Sequence, residues 1–172
     1  MYSNGEHCAG LCGIGAMLGT PVPQSVSDLS NCVSKTRDLG LLPRGLVCCP
    51  LMHGTGIWVG AMITHLTGGA VITVKKLGLD ADLLLKQIEN ERASLATIVG
   101  DAFARPMLNA LDQSQKDGKP YDLSSLKIML SSGVMWSQET KEGLLSHHDM
   151  MLVDAMGSSE GSMGIAVAAR GV

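Results

Sequence analysis

No long basic block interrupts the chain, and its 13 Lys and Arg against 16 Asp and Glu leave a formal charge of -3. Non-specific binding to nucleic acid needs a concentrated positive footprint, so the sequence offers that function no electrostatic support. The apolar runs break well short of the roughly 20 residues that cross a bilayer, which excludes a transmembrane segment. The opening, Met1 to His7, has neither the basic end nor the apolar centre of a signal peptide, so the expected compartment is the cytoplasm. Five cysteines are an odd and irregularly spaced set. Cys8 and Cys12 lie beside His7 and Cys48 adjoins Cys49, but no second pair at zinc-knuckle spacing completes a metal site. Reduced, buried thiols are the expectation. Low-complexity linkers and internal repeats are also missing, so nothing demands two domains.

What the chain does have is 45% apolar residues, only 17% charged residues and 21 glycines in a length of 172. That is enough for one sizeable core, and it suits a glycine-rich α/β fold better than a charged helical bundle. From Gly45 onward, short β-prone runs alternate with helix-length segments. Strands are expected at 46–49, 70–74, 95–99, 126–130 and from 151 toward Gly157, with a small-residue helix over 56–66. Asp80 can cap a helix whose Leu84, Leu85 and Ile88 share one face, while Lys86, Glu89 and Arg92 face water. The next helix carries Phe103, Met107, Ala110 and Leu111 as its apolar stripe, with Pro106 marking a start or a bend. Ser137 can cap another, anchored by Leu144 and Leu145. The implied architecture is repeated strand-helix units, a mostly parallel sheet with flanking helices. Residues 1–44 read as a less regular helical and loop segment, and 45–172 as the α/β domain.

Chemistry concentrates after the predicted strands, where open parallel sheets present ligands. In Met156-Gly157-Ser158-Ser159-Glu160-Gly161, the first glycine permits close backbone approach, the serines offer hydroxyls, and Glu160 can hold a divalent cation beside phosphate. From this string alone a plain surface turn is the commoner reading. Ser131-Ser132-Gly133-Val134 can leave room for a ligand, with Met135 and Trp136 as an apolar wall, or can simply turn into the following helix. His53 and Gly54 can shape a pocket, and a structural histidine fits the same pattern. Asp101 with Arg105 can flank a cleft or form a local ion pair. His65, His147 and His148 fall near helix ends, where cations are favoured. No nucleophile elbow or triad arrangement supports a hydrolase.

Taken in order, Cys49-Pro50-Leu51-Met52-His53-Gly54-Thr55-Gly56, the stretch Ile98 to Leu108, the stretch Tyr121 to Lys127, and Met156 to Gly161 resemble the AMP-forming adenylating superfamily. More narrowly, they are similar to bacterial acyl-CoA synthetases of the fatty-acid and steroid side-chain group. The resemblance implies a partial N-terminal domain of such an enzyme. It implies activation of a hydrophobic carboxylic acid with ATP and Mg2+ to an acyl-adenylate, followed by transfer to coenzyme A. On this resemblance His53, Gly54 and Asp101 border the acyl substrate, and Ser131, Ser132, Gly133 and Val134 lie beside adenine or substrate. Met156 stands where the family often has an aromatic residue against adenine. Gly157 matches an invariant glycine, Ser158 adjoins the nucleotide, Ser159 stands for a phosphate-contacting threonine, and Glu160 matches the magnesium-associated glutamate.

The family also has an upstream Ser/Thr/Gly-rich loop ending near a lysine, and a downstream ribose-binding aspartate, arginine and mobile C-terminal domain. None has a counterpart in the sequence, so the expectation is an internal section of the large domain, catalytically incomplete alone and prone to self-association through exposed core. A small noncatalytic ligand-binding or regulatory α/β module is the alternative.

Overall fold

The computed structural model describes residues 3–76, 78–158 and 161–171. Strands β1 (Arg44–Val47), β2 (Ala70–Thr73), β3 (Leu95–Ile98), β4 (Ile128–Ser132), β5 (Met151–Ser158) and β6 (Gly161–Ala168) form one sheet in the order β2-β1-β3-β4-β5-β6. Neighbours from β2 through β5 pair in parallel, and β6 returns antiparallel to β5. The mostly parallel sheet expected from the alternation is therefore present, with an antiparallel hairpin at one edge.

Two helical layers cover it. Helices α4 (Ala81–Glu91), α5 (Gly100–Lys116) and α6 (Gln138–His147) pack on one face, where Leu84, Leu85, Ile88, Met107, Leu111 and Leu144 meet Leu46, Ala96, Ile98, Met129 and Leu152. On the other face lie α1 (Asn4–Gly15) and a π-helical segment, Thr55–Met62, that runs into α3 (Ile63–Leu66). There Leu11 and Ile63 pack with Leu95, Ile128, Leu130 and Val153. Successive residues of β3, β4 and β5 thus alternate between two cores, which is why these strands read as continuous apolar runs. Helix α2 (Leu29–Asp38) buries Cys32 and Thr36.

Local chemistry explains most of the boundaries. Ser3 and Glu6 form a capping box at the start of α1. Asp80 accepts the Leu83 amide at 3.0 Å, and Ser137 caps α6 through the Thr140 amide, as the sequence implies. The small residues of the segment after β1 let it lie directly on the sheet: a Cβ on Gly60 would come within 2.9 Å of Val47 Cγ2 and 3.4 Å of Thr97 Cβ. Pro106 lies inside α5, where its missing N–H forfeits one intrahelical bond without ending the helix.

Besides a first strand that runs over Arg44–Val47 and not 46–49, two boundaries differ from expectation. Leu126 is fully buried but precedes β4, because its amide closes a turn on the Leu123 carbonyl at 2.9 Å. Its apolar character reflects core packing, not strand pairing. The segment from Met156 does not turn at once after a short strand: Met156 to Ser158 continue β5 into the hairpin with β6. Gly161–Ala168 is built of small and apolar residues without alternation, so periodicity gives no strand signal there.

Candidate adenylate site

The strand order reverses between β1 and β3. The connection leaving β1 crosses the α3 face, whereas those leaving β2, β3 and β4 cross the α4–α6 face. At such a switch point the loops beyond the carboxyl ends of the strands diverge and leave a crevice. The loops there are 48–54 after β1, Val99 and Gly100 after β3, and 133–137 after β4, beside the far end of β5.

Gly100 is the hinge of this arrangement. Its φ of +48° suits glycine, and its amide donates to Ser131 Oγ at 2.8 Å. Ser131 is fully buried, so its hydroxyl serves the backbone. A Cβ on Gly100 would meet the Met135 carbonyl and approach Val134 Cγ2 within 2.6 Å. The Asp101 amide donates to Met135 O at 3.2 Å, and its carboxylate accepts from Ser137 N and Arg105 Nε, both at 3.0 Å. Gly133, at φ +101°, faces Thr55 Oγ1 and Val99 Cγ1. The Thr55 hydroxyl reaches the Ser132 carbonyl at 3.5 Å.

The strand register extends the site. Ser131 pairs with Asp154 and Ser132 with Ala155, which carries Met156 and Gly157 to the same end of the sheet as Gly133 and Val134. Met156 and Val134 are 62% and 53% exposed, so an apolar ligand can reach both. His53 is exposed on the loop before Thr55, and Gly54 packs against the Trp58 ring. Ser158 belongs to β5, while Ser159 and Glu160 lie outside the described residues. The structure thus gathers Ser131 to Val134, Asp101, Met156 and Gly157, with Gly54 one residue from Thr55.

Trp136 behaves differently from the expected apolar wall. It is 3% exposed and packs in the core under α5 and α6, whereas Met135 projects at 82% exposure. A large ring beside a helix start is drawn into the hydrophobic layer. His147 and His148 are structural, as their positions imply: their Nε2 atoms lie 2.8 Å from Asp112 Oδ1 and Leu126 O. Sequence reasoning does not single out Gly100 and Thr55. A glycine between a strand and a helix, and a hydroxyl between two glycines, are the signals that mark them.

A separate cavity of about 470 Å3 opens at the ends of β1 and β2, lined by Cys48, Cys49, Leu51, Leu83 and Phe103 among others. Burial pushes the Cys48 thiol up and the Cys49 thiol up to about 11, so both stay protonated and poorly nucleophilic. Among the described residues, no group of three His, Cys, Asp or Glu side chains can hold a metal ion, and no described helix is long and apolar enough to cross a membrane.

The Asp101 carboxyl titrates below its ordinary range. Desolvation raises it, but hydrogen bonds from Ser137, Arg105 and Thr140 together outweigh that. A depressed folded-state value gives stability that is present above the unfolded value near 4 and lost as pH falls through the folded one. Asp101→Asn is therefore expected to flatten the loss of stability below about pH 4, measured as unfolding midpoints across a pH series. An unchanged acid limb would show that the carboxylate contributes nothing there.

Sequence comparison agrees with this geometry. A 3-oxocholest-4-en-26-oate–CoA ligase of Rhodococcus rhodochrous is 37% identical over 126 residues, 71% of this chain and 22% of that relative. A medium/long-chain-fatty-acid–CoA and 3-oxocholest-4-en-26-oate–CoA ligase of Mycolicibacterium smegmatis is 32% identical over 127 residues, again 71% of this chain and 22% of the relative. The chain therefore spans about a fifth of the curated relatives it matches. Among solved structures, a long-chain-fatty-acid-CoA ligase from Archaeoglobus fulgidus shares the fold, with a TM-score of 0.56 at 17% identity over 77% of this chain and 28% of that one. The model of the AMP-binding enzyme family matches residues 21–171, which shows that the chain belongs to that family.

Proposed function

We propose that this chain forms the adenylate-facing part of an acyl-CoA ligase that activates a hydrophobic carboxylic acid with ATP and passes the acyl group to coenzyme A. The observation that carries the reading is the meeting of Ser131 to Val134 with Met156 and Gly157 at the carboxyl ends of the parallel neighbours β4 and β5. The small residues at Gly133 and Gly157 give a flat base room to approach backbone, and exposed Val134 and Met156 supply apolar contact. Ser158 and Ser159 are the proposed contacts to the phosphates. His53, Gly54 and Asp101 border the acyl side, with Asp101 also fixing the Ser131 to Ser137 loop through Ser137 N.

Attack of a carboxylate on the α-phosphate brings two anions together, and donors already in position lower that barrier more than a proton-transfer base would. Bound Mg2+ would supply charge neutralisation there, with Glu160 as the residue to hold it. This chain's own share is orientation: Ser131 fixes Gly100, the Asp101 amide holds the Met135 loop, and the bare Gly100 leaves that loop room to close on it. The cytoplasm is the proposed compartment. The edge of β6, with Ile165 and Val167 almost half exposed, is a route for self-association.

Calorimetric unfolding of the chain, with and without Mg2+ and a nonhydrolysable acyl-adenylate analogue, tests the reading. At one hundred times its dissociation constant the analogue is expected to stabilise the fold by about 2.7 kcal/mol, and so to raise the midpoint by roughly 5 to 10 °C. A cooperative transition that the analogue leaves in place would refute the adenylate site.

A further inference from the structure

Resting on the adenylate-site reading, we propose that Lys141 is a positioning residue, one that ties the Ser131 to Trp136 loop to the end of β5 and so sets the width of the crevice. Its ammonium lies 3.2 Å from Asp154 Oδ2, with the lysine side chain only 11% and the aspartate 26% exposed. The same nitrogen sits 5.4 Å from the centroid of the Trp136 ring. One charge therefore touches both segments that bear the proposed adenine contacts. Trp136 is two residues beyond Val134, and Asp154 two residues before Met156.

The surroundings make this contact consequential. Trp136 Nε1 is buried with no acceptor among the described residues, so packing and the overlying cation hold the ring in place of a hydrogen bond. Asp154 pairs in register with Ser131, whose hydroxyl receives the Gly100 amide. Helix α6 is pinned at its first turn, where Ser137 N donates to Asp101, so Lys141 is presented one turn in from a fixed point. A screened surface pair would contribute little, but a largely buried pair leaves an uncompensated charge when one partner is removed. The ion pair therefore acts as a specific link between the β4–α6 loop and β5, and its loss frees their separation.

Hydrogen exchange on the whole chain without ligand tests the link directly. Lys141→Met is expected to accelerate amide exchange about tenfold in 133–137 and 155–157 while leaving β3 and α4 unchanged. Lys141→Arg, which keeps the charge and its place over the ring, is expected to restore slow exchange in both segments. Unaltered exchange in Lys141→Met, or acceleration spread evenly through β3 and α4, would overturn the proposal. Asp154→Asn removes the same pair with little change of shape, and it must loosen the same two segments; if it folds and does not, the proposal fails. In a second arm, titration calorimetry compares binding of the acyl-adenylate analogue, with Lys141→Met expected to bind at least tenfold more weakly than the unmodified chain. Equal affinity would remove the role in positioning. No binding by the unmodified chain would refute the adenylate reading, and the exchange arm would still decide whether the link exists.

Discussion

Gly100→Ala is expected to lower the thermal midpoint by roughly 10 °C, on the scale of 2 to 4 °C per kcal/mol for a chain of this size. Two costs combine at this position. A left-handed conformation costs an L-residue about 1 to 2 kcal/mol, and Gly100 holds φ +48°. The added methyl would also press on the Met135 carbonyl and on Val134, whose carbonyl would lie at 2.8 Å. Backbone yields less readily than a side chain tip, and such overpacking typically costs about 1 to 3 kcal/mol. Gly118 separates the two effects. It has φ +68° but nothing within 4 Å of where an added Cβ would sit, so Gly118→Ala should show the conformational cost alone. The Gly100 variant should in addition lose affinity for the adenylate analogue, because the Met135 loop, held by the Asp101 amide, must move away from the added methyl. Paired unfolding curves decide this: equal losses in the two variants would mean that the contact with the Met135 loop is not tight.

Leu130→Ala is expected to destabilise the fold by roughly 3 to 4 kcal/mol, the middle of the range for truncating a fully buried leucine. Leu130 is 0% exposed on β4, between β3 and β5, and packs with Leu11, Ile63, Leu95, Ile128 and Val153. A central strand covered on both faces has little freedom to collapse around a void, so the cavity cost is retained. Val26, 84% exposed, is the contrasting position, and Val26→Ala should stay within about 0.5 kcal/mol of the unmodified protein. Denaturant unfolding of both variants measures the difference. A loss below about 1 kcal/mol at Leu130 would show that the α1–α3 layer is loosely packed.

The elements most legible in the sequence are those whose pattern is local. Asp80 before Leu84, Leu85 and Ile88 announces a capped amphipathic helix, and the structure forms that cap and buries those residues. Ser137 announces α6 in the same way. Where burial and strand pairing diverge, local pattern misleads. Leu126 is apolar because it enters the core from a turn, and the Gly161–Ala168 strand lacks alternation because Gly164 to Val167 are exposed at the sheet's edge. Trp136 is legible as apolar but not as buried, since a sequence does not state which side of a loop faces the core.

The sequence by itself determined the alternation of strands and helices, the caps, and the ordered motifs that mark an AMP-binding enzyme, because each depends on residues close in the chain. Only the tertiary structure decided which of those motifs meet. The register of Ser131 with Asp154, the reach of Gly100 to Ser131 across 31 positions, and the placement of Lys141 between Trp136 and Asp154 arise from strand order and helix packing. These are long-range contacts, set when the two cores close on opposite faces of the sheet, and no local spacing encodes them.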